Sequence, residues 1–137
     1  KMQREITSGA GTFSQKAAAF ALNSDMAPTW QMRDAFLRRR ELVTGLMKKI
    51  PGMKVNHPQG AFYVFPDISA FFGKTDGKML IRDADDFCEY LLHNAYVAAV
   101  SGAAFGADNC FRISYATSDE KLTEAIRRIG EALGKLK

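Results

Sequence analysis

Arg112 is the side chain in this sequence best suited to gripping a ligand. It stands in Phe111-Arg112-Ile113-Ser114-Tyr115-Ala116, where every second residue is large and apolar. That period is the signature of a half-buried strand. It puts Arg112 on the polar face and Tyr115 on the opposite, core-facing side. A guanidinium stays charged and offers a planar fork that can hold a carboxylate through two hydrogen bonds; a lysine would keep the charge and lose that geometry. An arginine on the open face of a strand is also a commonplace surface residue, so type and position alone leave both readings open.

The other groups with chemistry in them are sparse. Cys88 and Cys110 are far apart and form no Cys-x-x-Cys pair, and His57 and His93 are the two histidines. No metal-ligand spacing results, and no metal is expected. Thr7-Ser8-Gly9-Ala10-Gly11 is a loop by composition. Its glycines could cradle a phosphate, yet the order matches neither a P-loop nor a dinucleotide fingerprint.

The elements that must position Arg112 can be read from capping and periodicity. Thr12 and Gln15 have capping-box spacing ahead of a helix ending near Asn23. A break over Asp25 to Pro28 precedes a long helix from about Thr29 to Lys49, with Phe36, Val43, Met47 and Ile50 on one side and Pro51-Gly52 as its stop. Short strands are expected over Met53–Asn56, Ala61–Phe65 and Tyr96–Val100, besides the one carrying Arg112. Residues 66–82 form an irregular excursion that Phe71 and Phe72 fasten to the core. Asp83 and Asp86 start a helix whose buried side is Phe87, Tyr90, Leu91 and Ala95. Thr117 and Glu120 have capping-box spacing before a final helix striped by Leu122, Ile126, Ile129, Leu133 and Leu136. The fold class is therefore α/β in a two-layer α+β arrangement: helices packed against a mainly antiparallel or mixed sheet of about four short strands.

The 137 residues suffice for a core, and 47% hydrophobic with 25% charged residues is the balance of a globular protein. No apolar run is long enough to span a bilayer, so no membrane role is expected. The net charge of +4 is spread along the chain, with clusters at Arg38-Arg39-Arg40 and Arg127-Arg128 in helical patterns. These read as solvated faces, and no nucleic-acid partner is expected. Two unpaired cysteines fit a reducing, cytoplasmic setting. Lys1 is not an initiator methionine, which suggests a piece of a longer chain.

Three stretches in order resemble the class I/II aminotransferases, the fold-type I pyridoxal-phosphate enzymes. They are Pro58-Gln59-Gly60-Ala61-Phe62-Tyr63, then Val97 through Gly106, then Phe111 through Thr117. The start, with Phe13-Ser14-Gln15-Lys16-Ala17-Ala18-Ala19, resembles the end of that family's cofactor domain. The family's second motif carries proline where this chain has Ser101. The resemblance is greatest to the bacterial aspartate-aminotransferase branch. It implies a chain whose residues 1–28 end the large cofactor domain and connect to a small domain over 29–137. It implies that Arg112 grips the substrate α-carboxylate, that Phe62 faces the substrate, and that Thr7 and Ser8 reach the cofactor phosphate of a neighbouring subunit in a homodimer. Substrates would be an amino acid, aspartate foremost, and a 2-oxo acid such as 2-oxoglutarate. The Schiff-base lysine and the other pyridoxal 5'-phosphate contacts belong to the larger domain in that family, so this stretch holds no catalytic residue and should be inactive alone.

Two other readings compete. A stand-alone ligand-binding or regulatory α/β module would leave no apolar face uncovered, whereas a piece of a larger enzyme would expose one near residues 12–28. An RNA-binding sheet is suggested by Phe62-Tyr63-Val64-Phe65 and the basic charge, but the Lys/Arg-Gly-aromatic strand signature is missing.

Overall fold

The computed structural model describes residue 6 and residues 9–137. The chain divides into two units, Lys1–Asp34 and Ala35–Lys137. In the first, α1 spans Thr12–Asn23 and ends where its composition suggested. Its start differs from the expected capping box. Thr12 is already helical, Gly11 occupies the cap without a side-chain bond, and Gln15 Nε2 donates to the Ala10 carbonyl at 2.6 Å. None of the residues of α1 is buried, and Phe13, Phe20 and Leu22 are between 78% and 84% exposed.

Helix α2 runs over Ala27–Met47, and the division between the units falls within it. It begins ahead of Pro28 rather than after it. Proline is tolerated in the first turn because the N–H it lacks would have had no partner there. Asp25 assists by accepting from the Ala27 N–H at 2.9 Å. Beyond Ala35, α2 buries Val43, Thr44 and Met47. Thr44 is polar but satisfied, since its hydroxyl donates to the Arg40 carbonyl at 2.8 Å.

Three strands follow: β1 (Tyr63–Val64), β2 (Val100–Ser101) and β3 (Phe111–Ser114). They form one antiparallel sheet in the order β1-β3-β2. The mixed α/β class and antiparallel pairing are as expected, but the sheet has three strands among the described residues rather than about four. Met53–Asn56 contributes only an isolated bridge, Lys54 to Asp67. Tyr96 is the left-handed C-cap of the helix before it, with φ 55°, and β2 begins only at Val100. The inward face of the sheet carries Val64, Phe111 and Ile113, all buried.

Helices α3 (Ala84–Ala95) and α4 (Asp119–Leu133) make the second layer. The Phe87 and Phe111 rings meet at 5.1 Å, seating α3 on the sheet. The buried Tyr90 hydroxyl donates to the Ala132 carbonyl at 2.9 Å, tying α3 to α4. The expected stripes are all buried: Phe87, Tyr90, Leu91 and Ala95 on α3, then Leu122, Ile126, Ile129, Leu133 and Leu136 on and just after α4. Asp83 caps α3 as anticipated, accepting from the Asp86 N–H at 2.9 Å. Asp86 returns the favour one residue upstream, where its carboxylate accepts from the Arg82 N–H at 3.0 Å. The cap of α4 is Ser118, not Thr117. Its hydroxyl accepts from the Lys121 N–H at 3.4 Å, so Glu120 lies one position too early for a capping box.

Candidate functional site

The pairing register decides which side chains surround Arg112. Val100 of β2 lies opposite Arg112, and Tyr63 of β1 lies opposite Ser114. Paired residues share a face, as do residues two apart on one strand. Tyr63, Val100, Arg112 and Ser114 therefore stand together on the face that the core does not use. With Ala98 and Ala99 they line an open cavity of about 200 Å³. That is smaller than the ~300–1,000 Å³ typical of drug-sized ligand sites. The only cation in its lining is Arg112.

Two aromatic rings lie against that cation. The Tyr63 ring centre is 4.4 Å from the Arg112 guanidinium carbon, and the Phe105 ring centre is 4.3 Å from it. Phe105 comes from a 3-10 turn, Gly102–Phe105, placed directly after β2. The loop that holds it is closed by backbone bonds: Gly102 N–H to the Cys110 carbonyl at 2.8 Å, Ala107 N–H to Gly102 at 3.0 Å, and Cys110 N–H to Ala107 at 3.0 Å. Asn109 Nδ2 also donates to Asp67 Oδ2 at 3.0 Å. Hydrogen bonds centred on Ser69 hold the Asp67 carboxyl below its usual range.

Ser101 opens this turn where the related motif has proline. Its backbone, φ −59° and ψ 141°, is one that proline itself adopts, and its hydroxyl accepts from the Ala103 N–H at 3.3 Å. The serine thus caps the turn through its side chain, at a backbone angle that a proline ring would also allow.

Arg112 differs from the other described arginines in its company. Arg33 pairs with Asp34, Arg38 and Arg39 with Asp119, and Arg40 with Glu41. Arg82 pairs with Asp86, Arg127 with Glu124 and Glu131, and Arg128 with Glu124. Among the described residues Arg112 alone has no carboxylate partner. A fork held against aromatic rings and unmatched by any acid can accept a carboxylate from outside.

The remaining candidates are placed as follows. Phe62 neighbours Tyr63 with ring centres 4.5 Å apart and stacks on Phe36 at 5.9 Å, but it does not line the Arg112 cavity. Thr7 and Ser8 lie outside the described residues. Tyr115 is buried, on the face opposite Arg112, as its alternation required. Tyr63 and Phe105 were not singled out from the sequence. The alternation within Ala61–Phe65 separates Tyr63 from Val64, but nothing local says that Tyr63 meets Arg112.

Comparison with known proteins agrees over the whole chain. The family model for aminotransferase class I and II matches residues 1–129. A bifunctional aspartate aminotransferase and glutamate/aspartate-prephenate aminotransferase of Petunia hybrida is 43% identical, aligned over 100% of this chain and 29% of its own length. A probable aspartate/prephenate aminotransferase of Aquifex aeolicus is 42% identical over 98% of this chain and 33% of its own. The crystal structure of the aspartate aminotransferase from Rhizobium meliloti superposes with a TM-score of 0.91 at 41% identity, covering 99% of this chain and 34% of that one. The chain therefore spans about a third of the length of the curated relatives it matches.

Enzymes of this class depend on pyridoxal phosphate. The cavity at Arg112 does not fit that group: no lysine lines it to bind the aldehyde, and no acid lines it to face the pyridine nitrogen. The charged group in its lining is the Arg112 guanidinium. By sequence and fold, the chain belongs to the class I and II aminotransferase family.

Proposed function

We propose that this chain supplies the substrate-carboxylate grip of an aminotransferase that moves an amino group between aspartate and a 2-oxo acid such as 2-oxoglutarate. Pyridoxal phosphate would supply the amino-group chemistry from residues outside those described. On this reading residues 1–28 finish the cofactor domain and lead into a small domain over 29–137. The observation that carries it is Arg112, the described arginine with no acid partner, placed at an open cavity beside Tyr63 and Ser114. The residue would bind the α-carboxylate and orient the substrate, and closure around that ion pair would exclude water before proton transfer.

Three observations support the wider setting. Helix α1 exposes Phe13, Phe20 and Leu22, the apolar face expected if a larger domain covers it and not expected of a self-contained regulatory module. Cys88 and Cys110 are free thiols, in keeping with a reducing, cytoplasmic compartment. Aspartate is favoured as donor because the matching relatives carry aspartate or aspartate/prephenate in their names. A homodimer, with residues 7 and 8 near the neighbouring cofactor, completes the proposal.

The test uses the complete reading frame. Borohydride reduction and peptide mass spectrometry should find a pyridoxyl lysine outside this chain. Arg112→Leu should then raise KM for both substrates by roughly a hundredfold or more, as expected for truncating one partner of a charged, hydrogen-bonded pair. Arg112→Lys should recover only part of the loss. An unmodified protein, or an unchanged KM in Arg112→Leu, would overturn the reading.

A further inference from the structure

We propose that Tyr63 and Phe105 are positioning residues for the carboxylate site, bracketing the Arg112 guanidinium so that only its N–H edge is left for the ligand. The proposal rests on the reading of Arg112 as the carboxylate grip and adds what makes that grip selective for a planar, two-oxygen ligand.

The geometry carries the argument. A guanidinium is a flat ion with two faces and an edge of N–H donors. Rings centred 4.4 and 4.3 Å from its central carbon are both within cation–π range. They approach from different elements: Tyr63 from β1, on one side of β3, and Phe105 from the turn after β2, on the other. Tyr63 lines the cavity and Phe105 does not, so one ring shapes the site while the other backs the ion. Neither ring is there as core. Phe105 is 49% exposed, a large apolar side chain left half in solvent yet set on a loop tightly closed by backbone hydrogen bonds. Phe65 meets it edge-on at 6.0 Å and 85°, a further contact that holds the ring. Aromatic faces attract the cation without offering an acceptor to its N–H groups. The arginine is thereby ordered before the ligand arrives, and its hydrogen-bonding capacity stays unspent.

The consequence is specific. Removing a ring should loosen substrate carboxylate binding through Arg112, and through nothing else. In the complete enzyme, Phe105→Leu and Tyr63→Leu should each raise KM for the amino acid and the 2-oxo acid roughly two- to tenfold, the size of one cation–π contact. KM should rise by more than kcat falls. Tyr63→Phe and Phe105→Tyr, which keep a ring, should restore KM to near the parent value. Combined with Arg112→Leu, neither leucine variant should lower kcat/KM further, because no guanidinium remains to be positioned.

An equal loss from Phe105→Leu with and without Arg112→Leu would show that the ring acts independently of the arginine and would overturn the proposal. So would unchanged KM in both leucine variants, or a Tyr63→Phe enzyme as impaired as Tyr63→Leu. If Arg112→Leu raises KM strongly while the ring variants do not, the bracket alone fails. If Arg112→Leu itself has no effect, the carboxylate reading fails and the bracket with it.

Discussion

The Tyr115 hydroxyl donates to the Ala61 carbonyl at 2.9 Å, and Ala61 has a left-handed backbone with φ 58°. The next residue along is held as well, since the Tyr115 N–H donates to the Phe62 carbonyl at 2.9 Å. A residue with a Cβ pays roughly 1–2 kcal/mol to sit in that region. Two bonds from the end of β3 therefore hold a strained corner in place, and that corner launches β1 with Tyr63 aimed at Arg112.

Tyr115→Phe should lower stability by about 1 kcal/mol, the usual net value of one hydrogen bond, with more if the Ala61 carbonyl stays dry. Ala61→Gly removes the steric cost of the left-handed backbone and should recover part of the loss when combined with Tyr115→Phe. Urea unfolding midpoints would show this. An unaltered midpoint in Tyr115→Phe would mean that the bond contributes nothing net.

Gly102→Ala should be far more damaging than its size suggests. A Cβ at this position would collide with the carbonyl oxygens of Ala107 and Cys110, both of them backbone atoms that close the loop. Relief requires the loop to open, so a loss of about 2–4 kcal/mol is expected. Because the same loop carries Phe105, KM should rise alongside the fall in melting temperature. A variant as stable as the parent would contradict the packing described.

The Asp86 carboxyl is held below its ordinary range, first by hydrogen bonds from the Arg82 guanidinium and then by the Arg82 backbone N–H. A carboxyl depressed in the folded state stabilises the fold above its unfolded value, near about 4, and loses that contribution as pH falls through the folded value. Asp86→Asn should therefore be less stable than the parent at pH 7, and the two should converge as acid protonates the aspartate. Thermal melts from pH 7 down to about 3 would check the convergence; a constant gap at every pH would refute it.

Burial pushes the Cys88 thiol up to about 11, with Asp85 adding to the effect. The thiolate is the reactive form, so at pH 8 almost none is present. Alkylation with iodoacetamide at pH 8, followed by peptide mass spectrometry, should find Cys88 modified more slowly in the folded protein than after denaturation. Equal rates would place Cys88 in a more open setting than the packing indicates.

Helix caps show where local reading succeeds and where it stops. Asp83 and Asp86 announce the start of α3 because the capping contact closes within four residues and needs nothing from the rest of the chain. At α4 the same logic chose Thr117, while Ser118 is the cap. Two adjacent hydroxyls satisfy the local rule equally well. One difference lies in Asp119, which receives Arg38 and Arg39 from α2, about eighty residues away in sequence. Their guanidinium groups, Arg38 first, hold the Asp119 carboxyl below its usual range.

The sequence by itself determined the helices, the buried stripes of α3 and α4, and the side of β3 on which Arg112 stands. Each follows from a short-range period, 3.6 or 2 residues, which side-chain chemistry imposes on the backbone. The resemblance of three separated motifs added the family. Only the tertiary structure decided the length of β1 and β2, the absence of a strand at Met53–Asn56, and the neighbours of Arg112. A strand's extent depends on a partner's hydrogen bonds, and register depends on which residues meet across the sheet. The freedom of Arg112 is a property of the same kind. Val100 across the sheet and the rings of Tyr63 and Phe105 are what the fold sets beside it, and that is settled by distances in space rather than by spacing along the chain.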